Sequence, residues 1–188
     1  MTASEQAPTS HTTAPSVKGL VQVYTGDGKG KTTAALGLAV RALGHGLTVH
    51  IIHFMKGDTR YGEQATLAQL PGVSVERFGL TTLCNPKQPR PEERQQAHKA
   101  LEAAQQAVRG GQYQVVVLDE INVALAFGLI PLEPVLELVR SKPAGIELVL
   151  TGRKAPPELM AVADLVTEMR EIKHPFQKGI LARAGIDY

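Results

Sequence analysis

Apolar residues gather along this chain in short blocks separated by longer mixed stretches. Residues 19–24, 47–54, 73–78, 115–118, 146–151 and 165–169 are runs rich in Val, Ile and Leu. Runs of this length, bounded by glycine and polar residues, predict strands, and continuous apolar character predicts burial on both faces. Between them lie helical patterns. Residues 31–43 are mostly Ala, Leu and Val and are closed by Gly44 and Gly46. Pro91 opens a second helix in which Ala97, Leu101, Ala104 and Val108 recur at helical spacing until Gly110 and Gly111 stop it. A third helical stretch runs to about Arg140, and residues 79–91 form a loop punctuated by three prolines. Strands alternating with helices predict an α/β fold, a mostly parallel sheet with helices on both faces.

The first 16 residues break this rhythm. They are rich in Thr, Ser, Ala and Pro with no apolar period, and such a segment does not offset the entropy lost on ordering. We expect a flexible arm over residues 1–16 and a single domain over residues 17–188, a length suited to one substantial core.

Composition narrows the classes of partner. With 20 basic against 18 acidic residues the formal net charge is +2, which demands neither nucleic acid nor an anionic membrane. No apolar run approaches the roughly 18 residues of a membrane span, and the amino terminus lacks a secretory pattern. One cysteine, Cys84, forms no internal disulfide or zinc pair, so a cytoplasmic location is expected.

The chemistry begins at the end of the first strand. Gly26, Asp27, Gly28, Lys29, Gly30, Lys31, Thr32 and Thr33 lie between a strand and a helix, the setting in which a phosphate loop works. Glycines there let backbone amides approach phosphate oxygens, the helix presents its positive end, and Lys31 adds a cation. Thr32 offers a hydroxyl to Mg²⁺. The usual spacing puts the first glycine at position 25, where this chain has Thr25 and then Gly26. ATP is the expected ligand. Asp119 and Glu120 end the most apolar strand and should bring a carboxylate to the magnesium side of the turn; spacing does not choose between them.

A phosphate loop leaves several reactions open. Glu120 permits an ATPase that drives a partner. Against that, the chain shows no basic and aromatic interleaving for a nucleic-acid track, with aromatic residues at 4%. It shows neither an arginine-rich lid nor a convincing Ser, Cys or His nucleophile.

Several segments together resemble the phosphate-loop ATP:corrinoid adenosyltransferases of the cobalamin pathway. They are the turn itself with Ala34 and Ala35, Lys56-Gly57 with Gly62-Glu63, Leu118-Asp119-Glu120, Thr151-Gly152-Arg153, Lys173-His174-Pro175-Phe176, Gly179-Ile180 and Ala184-Gly185-Ile186-Asp187-Tyr188. The resemblance implies a phosphate-loop, RecA-like architecture. It also implies a reaction in which a reduced cob(I) corrinoid attacks the 5′ carbon of ATP and expels triphosphate. The cobalt is then the nucleophile, which fits the lack of one in the protein. A noncatalytic corrinoid or nucleotide carrier is the remaining alternative.

Carried over by position, the resemblance implies that Gly28 to Thr33 hold phosphates, and that Glu120 with Thr32 serves the metal. It further implies that Asp27 and His174 contact the nucleoside, and that Arg153 faces phosphate or a corrin side chain. Each has a plainer alternative: His174 as a turn residue, Arg153 as a surface cation, Lys56 and Glu63 as a surface pair. An electron donor that reduces cobalt and a homodimer are implied in the same way. One departure stands out. Where some members carry an aromatic pair thought to displace an axial ligand of cobalt, this chain has Gly79-Leu80-Thr81-Thr82 and no tryptophan. Cys84 lies in that loop, either near cobalt or as an ordinary thiol.

Overall fold

The computed structural model describes residues 18–57 and 61–188; the arm expected over residues 1–16 lies outside them. Six strands form one sheet: β1 Val21–Thr25, β2 Val49–His53, β3 Val73–Arg77, β4 Val115–Asp119, β5 Glu147–Thr151 and β6 Leu165–Glu168. Their order is β3-β2-β4-β5-β1-β6, and every pairing is parallel. Parallel neighbours need crossover connections rather than tight turns. These contain α1 Lys31–Gly44, α2 Gly62–Leu67, α3 Pro91–Arg109, α4 Ile121–Ala126, α5 Leu132–Arg140 and α6 Pro157–Val162.

Strand alternation divides the core in two. On β2, Val49 and Ile51 join Ala35, Ala39 and Ala42 of α1, while Ile52, with Phe54 just past the strand, joins Ala100, Leu101 and Ala104 of α3. β4 divides the same way, Val115 and Val117 against Val116 and Leu118. All these strand residues are buried, each stabilising the fold by about 1.5–3 kcal/mol. Small side chains on α1 let that helix lie close to the sheet. That proximity brings its first turn over the strand ends.

Three features differ from the sequence reading. The helical stretch to Arg140 is two helices, because Gly128 at φ 62° and Pro131 interrupt it; Leu129 and Ile130 in the break are buried. Helices α2 and α6 carry no long apolar period, since each buries a single residue, Leu67 or Leu159, too weak a pattern to be read from sequence. The last strand, β6, is exposed along its length at the sheet edge.

Candidate active site

The carboxyl ends of β1, β2, β4 and β5 meet where α1 begins, the position at which open α/β sheets bind ligands. Three non-glycine residues there adopt left-handed backbone: Met55 at φ 59°, Glu120 at 66° and Lys154 at 59°. They follow β2, β4 and β5 respectively. Such conformations cost about 1–2 kcal/mol each and persist where surrounding structure imposes them.

Residues 26–30 turn from β1 into α1, with Gly30 at φ 109° directly before the helix. Lys31 is buried and folds back into the turn, its Nζ donating to Gly26 O at 2.7 Å and Gly28 O at 2.5 Å. Burial, and then the charge of Arg153, lower its pKa. The glycines have a second reason to be there. A Cβ at Gly28 would lie 2.7 Å from Met169 O and 2.8 Å from Arg170 O, and one at Gly26 would lie 2.4 Å from Met169 O. The Gly28 amide already donates to Met169 O at 2.7 Å.

Asp119 is the hub. Its Oδ1 accepts from Thr32 Oγ1 at 2.8 Å and Thr151 Oγ1 at 2.7 Å, and its Oδ2 from His53 Nδ1 at 2.8 Å and Lys56 Nζ at 2.6 Å. Burial alone would raise its pKa, but the His53 hydrogen bond and the Lys56 charge outweigh it and hold the carboxyl well below the usual range. Lys56 loses some basicity to burial and regains more from Asp119, so its pKa is raised; its ammonium also sits 4.9 Å from the Tyr61 ring centroid. The surface pair considered for Lys56 and Glu63 is thus replaced by a partly buried pair with Asp119.

Glu120 points its backbone amide at Thr151 Oγ1, 3.1 Å away. Among the described residues its carboxylate accepts no hydrogen bond. Burial first, and Asp119 second, raise its pKa, opposed by Lys56, Lys31 and Arg153. Arg153 is exposed on the loop after β5 yet close enough for its charge to act on both Lys31 and Glu120. Asp27 is exposed, and its charge acts on Lys31 in the opposite sense, raising its pKa. Lys29 pairs with Asp187. Thr32 and Thr33 open onto a cavity of about 670 Å³, lined also by Lys56, Tyr61, Ile186 and Tyr188, within the size range of small-molecule sites.

His174 stands apart. Its Nδ1 accepts from Phe176 N at 3.1 Å and caps a 3-10 turn, Pro175–Lys178; among the described residues no hydrogen bond joins it to the phosphate turn. Sequence reasoning missed His53, Thr151 as a partner of Asp119, and Asn122, whose Nδ2 donates to Gly152 O at 3.2 Å. His53 gave no signal because it sits within an apolar run.

A family model described as ATP:corrinoid adenosyltransferase BtuR/CobO/CobP matches residues 17–188. This chain belongs to that family. Corrinoid adenosyltransferases of similar sequence include one from Pseudomonas aeruginosa, 38% identical over 176 residues covering 91% of this chain and 84% of the relative. One from Sinorhizobium is 39% identical over 173 residues, covering 91% and 81%. Another, from Salmonella typhimurium, is 34% identical over 171 residues, covering 91% and 86%. The fold resembles a KaiC-like protein from Pyrococcus horikoshii, with a TM-score of 0.53 and 17% identity over 80% of this chain and 73% of that one. That likeness bears on architecture alone and agrees with a RecA-type phosphate-loop fold. The adenosyltransferase is an enzyme that moves the adenosyl group of ATP to a corrinoid.

In this adenosyltransferase the loop that departs from some members lies beside the site. A Cβ at Gly79 would be 2.8 Å from Lys56 N, so the two loops touch backbone to backbone. Leu80, Thr82 and Cys84 line a small cavity with Met55 and Glu93. Burial, then its hydrogen bond to Glu93, push the Cys84 thiol up, which disfavours a thiolate ligand and favours the ordinary thiol.

Proposed function

We propose that residues 26–33 hold the whole triphosphate of ATP as a leaving group while the cobalt of a reduced cob(I) corrinoid attacks the 5′ carbon. A cobalt–carbon bond forms with the electron pair of the metal, and the carbon–oxygen bond breaks with its pair passing to triphosphate. The observation that carries this reading is the gathering of Lys29, Lys31, Lys56 and Arg153 around the turn. The site is built to stabilise departing negative charge.

Lys31 leaves its two backbone carbonyls for phosphate oxygens, and Arg153 faces the same charge from the loop after β5. Remaining amides of the turn and the start of α1 orient the chain of phosphates. Asp27 and His174 are proposed contacts of the nucleoside. Two side chains suit Mg²⁺: Thr32 through Oγ1, whose hydrogen is given to Asp119, and Glu120 through its carboxylate, which accepts no hydrogen bond among the described residues. Asp119, with both oxygens saturated, supports Thr32 rather than binding an ion. Among the described residues no group of three or more His, Cys, Asp or Glu forms a metal cage, which suits an ion held largely by phosphate and water. Bound there, Mg²⁺ would neutralise phosphate charge.

The same reading includes one domain over residues 17–188, an electron donor that reduces cobalt, a cytoplasmic setting and a homodimer. Exposed Leu165 and Val166 on the edge strand and Ile172 and Phe176 beyond it support a partner surface. No helix among the described residues is long and apolar enough to cross a membrane. Incubation with ATP, Mg²⁺ and chemically reduced corrinoid tests the reaction. Loss of the cob(I) absorbance with equal amounts of adenosylated product and triphosphate is expected. Orthophosphate without an organometallic product would establish a hydrolytic ATPase instead, and unconsumed ATP a carrier.

A further inference from the structure

The stretch after β6 does not stay at the sheet edge. It crosses the phosphate turn and touches it twice, first where Met169 O accepts from Gly28 N and again where Asp187 pairs with Lys29. β6 lies beyond β1 at one edge of the sheet. Ile186 and Tyr188, by contrast, line the cavity together with Val40 of α1 and Leu67 of α2. The chain therefore passes over the turn from one side to the other.

Residues 183–188 are held together by their own bonds. Asp187 accepts from Arg183 N at 2.9 Å and Arg183 Nε at 3.1 Å. The Asp187 amide donates to Arg183 O, and that of Gly185 to Tyr188 O, both at 2.8 Å. Loss of Lys29 would leave Asp187 with two donors and the unit intact. The Lys29 side chain is 48% exposed and that of Asp187 13%, so the pair is open on its lysine side, and an ion pair open to solvent shifts an equilibrium by about five-fold. It is a contact that a stronger anion can take over. A triphosphate is such an anion, and its charge also repels the Asp187 carboxylate beside it.

We propose that residues 183–188 are a strap released by the triphosphate. Asp187 competes with incoming phosphates for Lys29, and when Lys29 turns to phosphate, Ile186 and Tyr188 leave the cavity wall. This rests on the reading that residues 26–33 hold a triphosphate. Asp187 is a positioning residue, acting on the nucleotide through Lys29.

Nuclear magnetic resonance of the full chain without corrinoid tests it. Backbone relaxation of residues 183–188 is followed on addition of ATP, inorganic triphosphate or adenosine, with affinities measured by calorimetry. ATP and triphosphate should each mobilise the strap, and adenosine should not. Asp187→Asn should mobilise it without ligand and tighten ATP binding by about two- to five-fold. Lys29→Met should mobilise it equally, which separates loss of the pair from a defect of the Asn variant. A strap that stays ordered when ATP binds, or an Asn variant that binds ATP more weakly, overturns the proposal while leaving the phosphate site standing. Failure of the unmodified chain to bind ATP at all would remove both.

Discussion

Thr32 and Asp119 are separated by 87 positions in the chain, and their side chains meet at 2.8 Å. That hydrogen bond joins the first turn of α1 to the end of β4 and fixes the Thr32 oxygen where, on the proposed reading, it would face Mg²⁺. Removing Mg²⁺ with a chelator should abolish turnover. Thr32→Val should raise the Mg²⁺ concentration for half-maximal rate by about 10–100-fold, with Thr32→Ser close to the parent. A Val variant with unchanged metal dependence would remove Thr32 from the ligand set.

Lys31 donates to Gly26 and Gly28 carbonyls inside the turn. Lys31→Ala should lower kcat for adenosyl transfer by about 10²–10³-fold, the usual scale for losing one donor to developing charge. Steady-state assays on purified protein check this. Retention of more than a tenth of the parent rate would assign the charge stabilisation to other groups.

Asp119 should govern acid stability. Its folded pKa is depressed, so the stability it contributes is present above the ordinary aspartate range and is lost as pH falls toward the folded value. Asp119→Asn should flatten that acid limb. At neutral pH it should destabilise by about 3–5 kcal/mol, because Lys56 is left without its charge partner. Urea unfolding across pH measures both effects.

Glu120 has the opposite sign. Its folded pKa is raised by burial, so ionising it opposes folding, and stability falls as pH rises from the ordinary glutamate range through the folded pKa. Glu120→Gln should therefore be more stable than the parent at neutral pH and lose most adenosyl transfer, since a neutral amide is a poor Mg²⁺ ligand. A Gln variant that is both less stable and fully active contradicts the role given to this carboxylate.

Gly28 is wedged against Met169 and Arg170. Gly28→Ala should force the turn from the end of β6, destabilising by about 1–3 kcal/mol as overpacking does and weakening ATP binding. Thermal unfolding and calorimetry would show the two losses together.

Much of the site was readable in one dimension because its chemistry is contiguous. Residues 26–33 carry loop, cation and hydroxyl in consecutive positions, and Asp119-Glu120 announce themselves by ending an apolar run. His53 was hidden, since one histidine in a strand looks the same whether it faces a carboxylate or a packed side chain. Lys56 was visible, but its partner was not: Glu63 is near in sequence, Asp119 near in space.

The sequence by itself determined the six strands, the longer helices between them, the largely parallel sheet and the phosphate turn between the first strand and helix, because periodicity and glycine placement act over a few residues. Its motifs also pointed to the family that the comparisons establish. Only the tertiary structure decided what surrounds that turn. Strand order set Asp119 beside Thr32, Thr151 and His53, and the return of the chain after β6 laid Met169 and Asp187 against the turn. These are contacts between segments far apart in the chain, selected by the burial of both sheet faces, and no local pattern encodes them.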